Sequence, residues 1–145
     1  MKKQISTQIE INATPDKVWN ILMNFEAYAE WNPFIKSISG EAIVGKHIKA
    51  SIQPPDAMVM AVKPMVLANN KNTEFRWLGK LLFKGLFDGE HIFQLIDNND
   101  GSTTFIQSEK FEGILVSLFS KMLDVNTVNG FNMMNRALKQ KAELT

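Results

Sequence analysis

The sequence predicts an α+β domain, a curved antiparallel sheet wrapped around a long C-terminal helix, with two short helices after the first strand. Three observations predict it. Ile5, Thr7, Ile9 and Ile11 alternate with Ser6, Gln8 and Glu10, the period of two that gives a strand one buried face. Residues 34–112 hold only strand-length runs broken by turn residues, so strands follow strands and pair antiparallel instead of winding through helical crossovers. From Gly113 onward the apolar residues recur with a helical period.

The elements follow in order. Thr14 caps a helix, Pro15 suits its first turn and Asp16 favours its positive end. Val18, Trp19, Leu22 and Met23 supply its apolar face, so the first helix covers about residues 15–24. Residues 25–31 form a second short helix that ends at Asn32-Pro33, because the residue before a proline is pushed out of the α region. Trp31 is expected to cover the core rather than to line a pocket mouth. Strand runs cover 34–39, 46–53, 58–69, 73–82, 86–96 and 102–112, and Pro64 demotes part of the third to an edge or a bulge. Asp97-Asn98-Asn99-Asp100-Gly101 is a hairpin turn. On the last helix Leu115, Leu118, Phe119, Met122, Asn126, Asn129, Met133 and Ala137 share one side of the wheel. Gly130 interrupts that helix and is expected to weaken or bend it.

A length of 145 residues suits one domain, 1–145, with one core. The net charge of +1 leaves no general attraction to nucleic acid or anionic lipid. The absence of cysteine excludes disulfides and thiolate metal sites and suits a reducing compartment. The longest apolar stretches, 58–62 and 114–119, are too short to span a bilayer. Met1-Lys2-Lys3 runs into alternation instead of the apolar run of a secretory signal. The expectation is a cytoplasmic monomer or homodimer without membrane insertion.

A strongly curved sheet folded over one helix leaves a concave, apolar gap. Ten Phe, three Trp and eight Met are enough large, adaptable side chains to line it. Polar residues pointing inward distinguish a ligand site from a solid core. Pairing the strands across the 97–101 turn sets Phe93 opposite Phe105 and His91 opposite Gln107, with Glu109 diagonal to His91. Trp77 arrives beside His91 from the preceding strand. The sheet side of the candidate site is therefore Trp77, His91, Phe93, Phe105, Gln107 and Glu109. The helix side is Leu118, Met122, Asn126, Asn129 and Met133. Two amides on that stripe need partners in a ligand, in water or on the strands. The register depends on Gly89, a position suited to a bulge, where a slip of one residue turns His91 outward.

A set of short motifs runs along the chain. Its first part is Ile9-Glu10-Ile11-Asn12-Ala13-Thr14-Pro15-Asp16-Lys17-Val18-Trp19, then Trp31-Asn32-Pro33-Phe34-Ile35. Its middle is Arg76-Trp77-Leu78-Gly79 and Gly85-Leu86-Phe87-Asp88-Gly89-Glu90-His91. Its last part is Glu109-Lys110-Phe111-Glu112-Gly113 and Gly130-Phe131-Asn132-Met133-Met134-Asn135-Arg136. In their joint order and spacing, over nearly the whole chain, these resemble the SRPBCC superfamily, also called START-like or Bet v 1-like, and its polyketide cyclase/dehydrase-type bacterial members. The resemblance implies a helix-grip fold with a hydrophobic cavity between sheet and C-terminal helix. It implies no single activity, because one fold hosts many functions.

Two functions follow. The first is binding of a small hydrophobic molecule, lipid-like, aromatic or polyketide-like, in that cavity. The alternative is a cyclase- or dehydratase-type enzyme using His91 and Glu109 as an acid–base pair. A carboxylate beside an imidazole fixes its tautomer, and cyclisation needs a base to take a proton from beside a ketone. The plainer role for the pair is a contact that joins two strands. His47 and His91 are the only histidines and no His-Glu-x-x-His spacing occurs, so no metal is expected. No glycine-rich phosphate loop or dinucleotide fingerprint occurs, so no cofactor is expected either.

Overall fold

The N-terminal alternation becomes β1 (Lys2–Ile11), paired antiparallel along its length with the last strand, Lys2 opposite Glu112 and Ile11 opposite Thr103. The computed structural model describes residues 1–144. Helix α1 (Pro15–Met23) is capped by Thr14, whose Oγ1 accepts from the Lys17 N–H at 3.3 Å. A 3₁₀ turn (Phe25–Ala27) leads into α2 (Tyr28–Trp31). The Tyr28 hydroxyl donates to the Leu22 carbonyl at 2.7 Å, and burial raises the pKa of that phenol far above its ordinary value. Asn32 ends the helix. Its Oδ1 accepts from the N–H groups of Phe34 and Ile35, at 2.9 and 2.8 Å, and turns the chain into β2 (Ile35–Ser39). Trp31 is half-buried against the edge of Tyr28, away from the cavity described below.

β3 (Lys49–Ile52) and β4 (Met60–Val62) join β2 in a three-stranded sheet. β5 (Met65–Asn70), β6 (Glu74–Lys80), β7 (Asp88–Asp97) and β8 (Thr103–Glu112) form the main antiparallel sheet in the order β1-β8-β7-β6-β5. Pro64 divides the expected 58–69 strand, and its two halves enter different sheets. The sheets stay continuous through a bridge between His47 and Met65. There the Ile48 N–H donates to the Pro64 carbonyl and the Val66 N–H to the Lys46 carbonyl, both at 2.9 Å. The result is the curved antiparallel surface that the order of elements predicts.

The chain leaves β8 at Gly113, where φ is +140° and a Cβ would overlap the Leu86 carbonyl. Turns then carry it to residue 119, held by N–H bonds from Ile114 to Gly85 O and from Leu115 to Leu86 O. The last helix starts only at α3 (Ser120–Met122), passes through a π-helical turn (Leu123–Thr127) and continues as α4 (Val128–Leu144). The expected inward face is corrected along this helix. The expected stripe runs through Met122, Asn126, Asn129 and Met133; the buried one runs one place later, through Leu123, Thr127, Gly130 and Met134, with Leu123, Phe131 and Leu138 packed into the core. Asn129 is exposed, Met133 half-buried, and Leu118, which precedes the helix, is 72% exposed.

Gly130 does not break the helix. Its Cα lies on the Phe34 ring, which a Cβ would meet at 2.5 Å. The helix-propensity cost of glycine, about 1 kcal/mol relative to alanine, accompanies a close approach of helix to strand. Phe34 also meets Phe131 edge-on, ring centroids 5.4 Å apart. One connected cluster of buried side chains, including Val18, Leu22, Phe75, Phe105, Phe131 and Leu138, fills the space between sheet and helices.

Candidate functional site

The site is set by the register of three strands. Trp77 on β6 lies opposite His91 on β7, and His91 lies opposite Glu109 on β8. Phe93 faces Gln107 and Leu95 faces Phe105. This differs by two residues from the pairing expected for a turn at 97–101. The hairpin loop is Asn98–Ser102, closed by Asp97 opposite Thr103. Inside it, Asp97 Oδ1 accepts from the Asn99 N–H and Asp100 Oδ1 from the Ser102 N–H, each at 2.9 Å, which takes Ser102 into the loop. A shift of two leaves every side chain on its own face. His91 therefore stays inward, and directly opposite Glu109 instead of diagonal to it.

Gly89 carries no bulge. It pairs with Gly79 on one side and Phe111 on the other. Its missing side chain has another purpose, since a Cβ there would overlap Oε2 of Glu109. Glycine makes the space in which that carboxyl group lies.

A cavity of about 280 Å³ opens between the ends of β6, β7 and β8, the β3–β4 hairpin and the π-helical turn. Phe34, Trp77, Phe87, Phe111, Phe119 and Met122 line it, with Ile52, Met60, Val62 and Leu123. Glu109, Thr127 and Lys80 are its polar side chains. Exposed apolar residues stand on the loops next to its mouth, Met58 in one and Leu82 and Phe83 in another. A larger groove of about 470 Å³ on the outer face of the sheet is lined by Lys2, Lys3, Lys84, Asp88, Glu90 and Lys110 among others. Its charged, open walls suit water better than an apolar guest, and the cavity is the better ligand site.

Behind the cavity wall runs a buried polar chain. Glu109 is 15% exposed and His91 only 1%, with His91 Nδ1 3.3 Å from Glu109 Oε1. His91 Nε2 is 2.9 Å from Gln107 Oε1. Gln107 Nε2 donates to Asn135 Oδ1 at 2.8 Å and, more weakly, to the Phe131 carbonyl at 3.4 Å. Asn135 Nδ2 donates to Thr7 Oγ1 at 2.8 Å, and the Thr7 hydroxyl donates to the Gln107 carbonyl at 3.0 Å. The imidazole is held between aromatic rings, with centroids 4.4 Å from Phe93, 4.9 Å from Phe131 and 5.1 Å from Trp77. Low polarity around such a network makes each bond count and each unpaired group costly.

Of the residues singled out from sequence, Trp77, Glu109 and Met122 border the cavity. His91 and Gln107 stand behind Glu109. Phe93 and Phe105 are core residues, 1% and 0% exposed. Asn126 donates to the Pro55 carbonyl at 2.9 Å and ties the helix to the β3–β4 loop. Leu118, Asn129 and Met133 lie off the cavity: Leu118 is on the turns that precede the helix, and Asn129 and Met133 lie one place short of its buried stripe. The buried amide of the helix is Asn135, a position outside the expected stripe. Its partner Thr7 carries a sequence signal, its place on the inward face of β1. Phe87 and Phe111 carry the parity signal of His91 and Glu109. Among the described residues no three His, Asp or Glu side chains converge as a metal site, and no helix is long and apolar enough to cross a membrane.

Comparison with known proteins agrees with this fold. The family model for polyketide cyclase/dehydrase and lipid transport matches residues 2–143. No curated protein matches the sequence. A START superfamily protein from Mycobacterium smegmatis is 20% identical, with 98% of this chain and 99% of that one aligned at a TM-score of 0.75. The Zhui aromatase/cyclase from a Streptomyces species is 11% identical over 99% of this chain and 94% of that one, at 0.78. A point mutant of norcoclaurine synthase from Thalictrum flavum is 12% identical over 99% and 96%, at 0.75. At these identities the likeness is one of fold.

Proposed function

We propose, from the premise that this chain belongs to the polyketide cyclase/dehydrase and lipid transport family, that its cavity receives one small apolar molecule. The observation that carries the reading is the cavity itself, about 280 Å³ of mainly aromatic and aliphatic wall with a carboxyl group set into it. That volume lies just under the usual ligand-site range of about 300–1,000 Å³, so the guest is small, of the size of a few fused rings or a short chain. Lipid-like, aromatic and polyketide-like molecules share the needed chemistry, an apolar body that leaves water for the rings of Trp77, Phe87, Phe111 and Phe119. A second reading, cyclase-type proton transfer in the same cavity, is favoured by the 3.3 Å approach of His91 Nδ1 to Glu109 Oε1 at its wall.

Met122→Trp tests the binding reading. Met122 is half-buried on the cavity wall, and a void accepts added volume that a packed core accepts only at about 1–3 kcal/mol. The variant should melt within a few degrees of the wild type and lose uptake of an environment-sensitive apolar dye. A variant that is strongly destabilised, or that takes up dye as the wild type does, would show that this space is not the ligand site.

A further inference from the structure

We infer that the ligand presents a hydrogen-bond donor, a hydroxyl or an amine, to Oε2 of Glu109. This rests on the proposal that the cavity binds an apolar molecule, and it adds the polar chemistry of that molecule. At the far end of the buried chain two backbone carbonyls set its direction. A carbonyl can only accept. The Thr7 hydroxyl donates to the Gln107 carbonyl, so its oxygen is left to accept from Asn135 Nδ2. Asn135 Oδ1 then accepts from Gln107 Nε2, which also faces the Phe131 carbonyl. Turning the Gln107 amide over would set oxygen against that carbonyl, acceptor against acceptor. Gln107 Oε1 is thus the end that meets His91, and the hydrogen in that contact belongs to His91 Nε2.

With Nε2 protonated, the other ring nitrogen faces Glu109 Oε1 at 3.3 Å. That contact occupies the Oε1 side of the carboxyl group. Oε2 lies in the space vacated by Gly89. Among the described residues no N–H or O–H is hydrogen-bonded to Oε2, and Glu109 and Gly89 both line the cavity. The wall therefore offers Oε2 as an acceptor. A ligand with a donor completes it, an apolar ligand leaves it unmet, and a ligand carboxylate sets acceptor against acceptor.

Calorimetric titration with four probes of one scaffold tests this: naphthol, aminonaphthalene, methylnaphthalene and naphthoate. A hydrogen bond to a charged group contributes enough that the two donor probes should bind roughly ten- to a hundredfold more tightly than methylnaphthalene, with naphthoate weakest. Glu109→Met should erase the preference. Glu109→Gln should keep it, because its amide N–H can turn to Nδ1 and leave its carbonyl facing the cavity. If Glu109→Met does not fold, the wild-type rank order and the glutamine variant still decide. Equal binding of naphthol and methylnaphthalene, tightest binding of naphthoate, or a preference that survives Glu109→Met would overturn the inference while leaving the binding proposal in place. Binding of none of the four would overturn both.

Discussion

Gln107→Met is the most exacting test of the buried chain. Methionine matches glutamine in length and bulk, so packing is nearly conserved and only hydrogen bonding is removed. Gln107 is wholly buried and meets two partners that water cannot reach, His91 Nε2 and Asn135 Oδ1, both on residues 1% exposed. Its 3.4 Å contact with the Phe131 carbonyl counts for little, since that carbonyl lies within a helix. A buried group left without its partner costs roughly 1–3 kcal/mol, so two cost about 2–6 kcal/mol. That is a large share of the roughly 5–15 kcal/mol that holds a domain folded. With a urea slope of about 2 kcal/mol per M, a loss near 4 kcal/mol lowers the unfolding midpoint by about 2 M. Trp77, beside His91, supplies the fluorescence signal. Adding Asn135→Leu removes one of the two stranded groups, so the double variant should cost less than the sum of the singles, with a coupling of about 1–3 kcal/mol. Nitrogen NMR of the wild-type imidazole should show the hydrogen on Nε2. A cost below about 1 kcal/mol for Gln107→Met, strict additivity, or an Nε2 without hydrogen would refute the chain and its direction.

Two further outcomes are expected. If the cavity also catalyses proton transfer, the wild type turns over poly-ketone thioesters, and His91→Gln loses roughly a hundred- to ten-thousandfold in rate while still binding them; a wild type inactive on the whole panel removes the second reading. Stability should also fall on the acid side. Asp100 is held below its ordinary range by the Ser102 hydroxyl and N–H, and Glu143 by Lys139 and the Asn12 N–H. Because the folded forms hold their protons less tightly than the unfolded ones, this contribution is present above about pH 4 and is lost as the pH drops through the lower folded values. Replacing both by their amides should flatten the acid limb of a stability–pH curve; an unchanged limb would count against these two contacts.

The inward face of the sheet is legible in the residues. The period of two places Trp77, His91, Gln107 and Glu109 on one face, and that assignment survives the two-residue error in register, because parity is unaffected by an even shift. Gly89 is visible as unusual, but the reason for it is not. A bulge and a close approach both call for glycine, and only the position of the Glu109 carboxyl separates them. Asn32-Pro33 marks the end of α2 from sequence alone, and Pro64 marks a break, though not that the two halves part into different sheets.

The order of elements, the antiparallel character of the sheet, the inward parity of its strands and the family are all readable from the residues. These are local properties, carried by neighbours a few residues apart. The tertiary structure decided the face of the last helix, the pairing of His91 with Glu109, and the direction of the chain from Thr7 to the cavity. Each of those depends on contacts far apart in sequence. Two neighbouring rows of the last helix are apolar enough to read as its buried face, Met122, Met133 and Ala137 in one and Leu123, Met134 and Leu138 in the other, and packing against the sheet selects the second.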